Sequence, residues 1–282
     1  MAHTNIIDAA TLSVHLDDPD WVVMDCRFSL ADPEAGRQAY AESHLPGARY
    51  AHLDEDLSGP ITPATGRHPL PDPLKLARKL GAWGIGNDTQ VVAYDDMGGI
   101  LAASRLWWLL RWLGHDACAV LDGGFTAWQQ AGLPLGEQLP AIPPQRFEAR
   151  PVDRLWLTTA QVEALSAQEL LLDARTAVRY RGEQEPVDPV AGHIPGAVNL
   201  PTEANLGTDG RFRPTDELRE RFLAVMNGRA SAAVVHGCGS GVTACHNLLA
   251  MEAAGLSGSR LYAGSWSEWI RDPNRPVATG AA

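Results

Sequence analysis

Four blocks of the sequence recur once each, in the same order, roughly 140–150 residues further along the chain. "WVVMDCR" at 21–27 returns as "LLLDAR" at 170–175, and "SHLPGARY" at 43–50 as "GHIPGAVNLP" at 192–201. "VVAYDDMGG" at 91–99 returns as "VVHGCGSGV" at 234–242, and "LDGGFTAW" at 121–128 as "YAGSWSEW" at 262–269. An ordered recurrence at nearly one offset restricts the chain to two copies of one folding plan. Its 282 residues give room for two domains of ordinary size. The copies are expected over 1–135 and 155–282. Between them "GEQLPAIPPQRFEARPVDR", 136–154, is proline-rich with mixed charge and no periodicity, which suits an extended linker that wraps one half and crosses to the other.

Within each copy short β-branched runs alternate with helical stretches. The runs Val22–Asp25, Val91–Tyr94 and Ala119–Leu121 correspond to Leu170–Asp173, Ala232–His236 and Arg260–Tyr262. "LAASRLWWLLRWLG" at 101–114 is apolar nearly all round and predicts a buried helix, with "TACHNLLAMEAAG" at 243–255 as its counterpart. Strand, helix, strand with short connections predicts an α/β fold: a mostly parallel sheet in each domain, with helices on both faces. Ligands of such sheets sit beyond the carboxyl ends of the strands.

Cys238 is placed at such an end. A strand closes at His236, Cys238-Gly239-Ser240-Gly241-Val242-Thr243 forms a loop, and a helix opens near Thr243. Glycines permit positive φ and close backbone approach. Successive N–H groups in such a turn can converge on one anion, and the helix N-terminus adds partial positive charge. A sulfur anion is favoured there. A lone cysteine in a tight turn is ordinarily a packed core residue. The repeat argues otherwise, because alignment puts Asp95 opposite Cys238: one copy keeps a thiol and the other does not. Cys245, about two helical turns along, reads as core, and Cys26 and Cys118 as small buried hydrophobes.

A formal charge of −11 argues against nucleic acid and anionic membranes as partners, while leaving room for a local cationic pocket. No apolar run approaches a membrane span, and the N-terminus lacks the basic and apolar segments of a signal peptide. The cytoplasm is therefore the expected location, and the four cysteines, without disulfide spacing, are expected as thiols. No metal or cofactor is implied: the nine histidines form no HExxH or Cys/His cluster, and the glycine runs lack dinucleotide or P-loop spacing.

The repeated D-x-R, H-[IL]-P-G-A and G-[GS]-[FW]-x-x-W blocks, with a cysteine loop in the second copy, resemble the two-domain rhodanese sulfurtransferases over essentially the whole chain. The resemblance implies two tandem rhodanese-like domains, each with a five-stranded sheet, the first silent and the second cycling Cys238 between thiolate and persulfide. Thiosulfate-using members usually carry Arg and Lys after the cysteine. Members using 3-mercaptopyruvate carry CG[ST]GVT, to which Cys238-Gly239-Ser240-Gly241-Val242-Thr243 is similar. That branch pairs its loop serine with a His and an Asp from the first domain, which implies a proton relay of Ser240, His68 and Asp54. It also implies substrate binding by Arg179 and by the loop residues Gly239, Gly241, Val242 and Thr243. A second arginine is expected after Glu185-Pro186, where this chain has Val187; Arg181 is the nearby candidate to replace it. Arg27 and Arg175, and His44 and His193, occur in both copies and are expected to be structural.

The favoured function is transfer of sulfur from 3-mercaptopyruvate, through a Cys238 persulfide, to cyanide, a small thiol or a thioredoxin-like protein. The alternative keeps the persulfide and takes thiosulfate as donor. Two further readings have less support. A cysteine phosphatase wants an arginine closing the loop, where Thr243 and Ala244 stand, and a non-catalytic binding module has no use for the intact cysteine loop.

Overall fold

A computed structural model describes residues 2–138 and 143–281. Residues 139–142 of the expected linker lie outside the described residues. The chain divides into two compact units: Met1–Gly59 with Pro71–Val152 and Gly207–Phe212, and Pro60–Leu70 with Asp153–Leu206 and Arg213–Ala282.

The first unit is built on β1 (Ile6–Ile7), β2 (Trp21–Asp25), β3 (Arg49–Tyr50), β4 (Gln90–Tyr94) and β5 (Cys118–Leu121), in the order β1-β5-β4-β2-β3. The second repeats it with β6 (Trp156–Leu157), β7 (Leu170–Asp173), β8 (Val198–Asn199), β9 (Val234–Gly237) and β10 (Arg260–Tyr262), in the order β6-β10-β9-β7-β8. The pairings between these ten strands are parallel. The central strands are apolar runs because both faces are covered: β4 and β9 are buried throughout. The helix Ala102–Trp112 shows why its sequence carries no polar face, since all but one of its residues are buried.

Strand order reverses between β2 and β4 and again between β7 and β9, so a crevice opens at their carboxyl ends. Asp25 pairs in register with Tyr94, and Asp173 with Gly237. Asp95 and Cys238 are the next residues.

The repeated blocks explain themselves as matched braces. Arg27 donates to Asp25 from Nε and Nη2, at 2.9 and 2.6 Å to Oδ2, and on to the Ser43 carbonyl. Arg175 does the same with Asp173 and the Gly192 carbonyl. Each guanidinium also lies over an aromatic ring, Phe125 or Trp266. His44 and His193 direct Nδ1 at the carbonyls of Tyr40 and Tyr180, 2.7 Å away in each case, and stack on those rings. Trp128 and Trp269 donate their indole N–H groups to Pro134 and Pro276.

The second strand run starts two residues later than the sequence suggests: Ser231–Ala233 forms a 3-10 turn before β9, and the helix after the cysteine loop runs Ala244–Ala253. The described part of the proline-rich segment lies against the first unit. Gln145 N–H donates to the Gly81 carbonyl, Arg150 N–H to Leu113 and Val152 N–H to Trp112, and Phe147 is buried. No described helix is long and apolar enough to cross a membrane.

Candidate active site

The second unit gathers most of the expected residues around the carboxyl end of β9. Cys238 is buried, 3% exposed, and its Sγ accepts the Gly241 N–H at 3.1 Å. The loop can fold back this tightly only through Gly241. Its φ is +77°, and a Cβ there would lie 2.3 Å from the Ala263 carbonyl oxygen. Beneath the loop, Cys238 N–H donates to Ser265 Oγ at 3.0 Å, while Ser265 Oγ sits 4.0 Å from Sγ and donates to the Tyr262 carbonyl. Ser265 is fully buried with φ +51°, a left-handed conformation unusual for a side-chain-bearing residue. Val242 is buried, and Thr243 caps the following helix without a side-chain hydrogen bond. Cys245 is buried and donates to the Gly241 carbonyl at 3.4 Å.

Ser240 Oγ lies 2.7 Å from His68 Nδ1, and both residues are buried. His68 arrives on Pro60–Leu70, which belongs to the second unit. This segment is pinned to the helix Ser265–Trp269: Arg67 N–H donates to Ser267 Oγ at 3.0 Å, and a Cβ on Gly66 would meet the Gly264 carbonyl at 2.7 Å. Arg271 Nε donates to the Thr65 carbonyl. Asp54 lies in the first unit, exposed, with its N–H donating to His52 Nδ1.

A cluster of charges flanks Gly239. Arg179 donates to Glu185 from Nε at 3.1 Å and from Nη2 at 2.7 Å, and to Asp188 at 3.2 Å. Arg67 Nη1 donates to the other oxygen of Asp188. Burial works to raise the Glu185 carboxyl, but the Arg179 hydrogen bonds and the Val187 and Asp188 N–H groups hold it below the usual range. Burial raises Asp188 despite Arg67 and Arg179. Sequence reasoning passed over Arg67, Asp188 and Ser265; Arg67 adjoins His68 and Asp188 adjoins Val187, but nothing local marks either as a site residue.

In the first unit Asp95 stands where Cys238 stands in the second. Its carboxylate accepts the N–H groups of Met97 at 2.9 Å, Gly99 at 2.7 Å and Leu101 at 3.1 Å. Phe125 N–H donates to the Asp95 carbonyl as Trp266 N–H does to that of Cys238. The same turn is thus present in both copies; in the first it closes on its own side chain, with burial lifting the Asp95 carboxyl to about 6. Among the described residues a trio with possible metal-ligand spacing, Glu34, His52 and Glu55, also lies in the first unit, where Arg37 pairs with both carboxylates.

A family profile for the rhodanese-like domain matches residues 8–131 and again 158–272. The chain is 52% identical to a Pseudomonas aeruginosa protein described as "Probable 3-mercaptopyruvate sulfurtransferase", over 99% of this chain and all of that one. It is 33% identical to the 3-mercaptopyruvate sulfurtransferase of Escherichia coli K12, over 98% of this chain and 99% of that one. The solved 3-mercaptopyruvate sulfurtransferase from Leishmania major superposes with a TM-score of 0.84 at 34% identity, covering 96% of this chain and 76% of that one. The Escherichia coli SseA structure gives 0.81 at 31% identity, covering 94% of this chain and all of that one. The two matched halves, the parallel sheets and the relatives that span the chain agree: this protein belongs to the rhodanese family.

Proposed function

We propose that this protein is a sulfurtransferase that takes sulfur from 3-mercaptopyruvate and passes it on through a persulfide on Cys238. The observation that carries this is the Cys238 loop: a sulfur under the Gly241 N–H, followed two residues later by a serine in contact with a buried histidine. The Cys238 thiolate attacks the donor's thiol sulfur. The carbon–sulfur bond breaks, and its electron pair leaves on the pyruvate enolate. The donor's thiol proton is carried by Ser240 and His68 to the enolate carbon, giving pyruvate. The persulfide is left against the loop amides. An acceptor thiolate or cyanide then attacks the outer sulfur and releases the Cys238 thiolate, so ping-pong kinetics follow. The resemblance places Asp54 in the relay, and Asp54→Asn is the substitution that tests it. In this reading Arg179 and the loop residues Gly239, Gly241, Val242 and Thr243 hold the donor.

The first repeat is catalytically silent in this reading, because Asp95 fills the corresponding turn. The acceptor is cyanide, a small thiol or a thioredoxin-like protein. The setting is the reducing cytoplasm, in keeping with four free cysteines. Thiosulfate as donor is a second reading, favoured by the loss of an arginine at Val187 and opposed by the uncharged residues Gly239 and Ser240 that follow the cysteine.

Intact-mass measurement after incubation with 3-mercaptopyruvate tests the proposal. One added sulfur is expected, absent in Cys238→Ser. An intact protein that never gains sulfur from this donor overturns it, and a larger kcat/KM for thiosulfate establishes the second reading instead.

A further inference from the structure

Val187 stands where the resemblance expects a second arginine, but it faces solvent, 41% exposed, with its N–H donated to Glu185. Arg181 is paired with Glu183 at 2.7 Å in an exposed contact, and the guanidinium atoms nearest Gly239 are those of Arg67 and Arg179. A guanidinium nonetheless stands beside Arg179, supplied from far away in sequence by Arg67. A Cβ on Gly239 would meet Arg67 Nη2 at 2.9 Å and Arg179 Nη2 and Nη1 at 3.6 and 3.7 Å. Two forks therefore converge over the residue next to the nucleophile. Arg67 Nε is buried and has no hydrogen-bond partner among the described residues, which leaves a donor to be satisfied by a ligand. The segment that carries Arg67 is fixed by its bonds to Ser267 and Arg271.

Asp188 accepts from both arginines, one on each oxygen. Its side chain is 3% exposed. The charges around the loop are those of Arg67, Arg175 and Arg179 against Asp173, Glu185 and Asp188, which cancel. A neutral cluster with two partly engaged forks can accept one carboxylate. One carboxylate leaves a single negative charge over beside the neutral cluster and a dianion leaves two, which is the larger cost in a poorly solvated place.

We propose that Arg67 is the second donor-binding arginine of this chain, and that Asp188, bridging it to Arg179, sets the preference for a singly charged over a doubly charged donor. The proposal rests on the sulfurtransferase reading above.

Pyruvate, a carboxylate with no sulfur to transfer, probes the clamp apart from catalysis. In calorimetric titration of the full chain, Arg67→Gln is expected to weaken pyruvate binding about tenfold or more, with Arg67→Lys falling between it and wild type. For 3-mercaptopyruvate, KM should rise in Arg67→Gln by more than kcat falls. Asp188→Asn should raise kcat/KM for thiosulfate relative to 3-mercaptopyruvate about tenfold or more. Should Asp188→Asn not fold, the graded Arg67 series decides. A wild-type protein that gains no sulfur, while pyruvate binding still follows Arg67, overturns the function and upholds the clamp. Wild-type transfer with unchanged pyruvate binding in Arg67→Gln, or an unchanged donor ratio in a folded Asp188→Asn, overturns the clamp alone.

Discussion

His68 Nδ1 and Ser240 Oγ are 2.7 Å apart, although 172 residues separate them in the chain. A buried serine hydroxyl against a buried imidazole is a route for one proton. Ser240→Ala and His68→Asn are each expected to lower kcat for 3-mercaptopyruvate about 10²- to 10⁴-fold. Thiosulfate has no thiol proton to move, so transfer from it should suffer far less. Steady-state rates with both donors check this, and an equal loss with both would remove the relay.

Ser265 holds the floor of the same loop. Ser265→Ala leaves the buried Cys238 N–H without its acceptor and keeps the left-handed backbone, at an expected cost of about 1–3 kcal/mol. Ser265→Gly loses the same bond but relaxes the backbone, so it should lie between Ala and wild type. Urea unfolding of the three proteins gives the order.

Two glycines of the loop should respond in opposite ways. Gly241→Ala forces a Cβ into the Ala263 carbonyl at positive φ, so at least about 2 kcal/mol of stability and most persulfide formation should go. For Gly239→Ala the nearest atoms are the side-chain ends of Arg67 and Arg179 rather than backbone. It should melt near wild type while KM for the donor rises. Thermal melts paired with donor titrations separate the two effects.

Asp95 makes stability depend on pH. Burial lifts its carboxyl to about 6 in the folded protein, against an ordinary 3.8. The folded state therefore binds this proton more tightly than the unfolded chain does. The resulting stabilisation is complete below 3.8 and disappears as pH rises through about 6. Asp95→Asn should flatten the stability profile across that window by on the order of 1–3 kcal/mol. Denaturant midpoints at pH 4, 5, 6 and 7 test it, and identical slopes for the two proteins would refute it.

The fold was legible because both copies had to solve the same packing problem. The D-x-R, His-Pro-Gly and Trp blocks recur because Arg27 and Arg175, His44 and His193, and Trp128 and Trp269 brace corresponding places. The position of Cys238 at the end of β9 was legible from its flanking glycines, and it was the comparison with Asp95 in the first repeat that singled it out. The contact between Ser240 and His68 was not, and only the family resemblance led to it. Arg67 escaped notice because its role depends on where Pro60–Leu70 packs, which no periodicity of that stretch reveals. Asp188 escaped because a carboxylate gains its meaning from two guanidiniums arriving from different directions.

Pro60–Leu70 is encoded within the first repeat but folds with the second unit. Scission of the gene at the proline-rich segment would therefore not release a miniature enzyme. A fragment beginning at residue 155 would carry Cys238 without His68 or Arg67, and on the proposed reading the missing peptide would have to be added in trans to complete it. On the proposed reading, the first repeat supplies His68 and Arg67 to the second unit, which gives a half without its own cysteine loop a reason to persist.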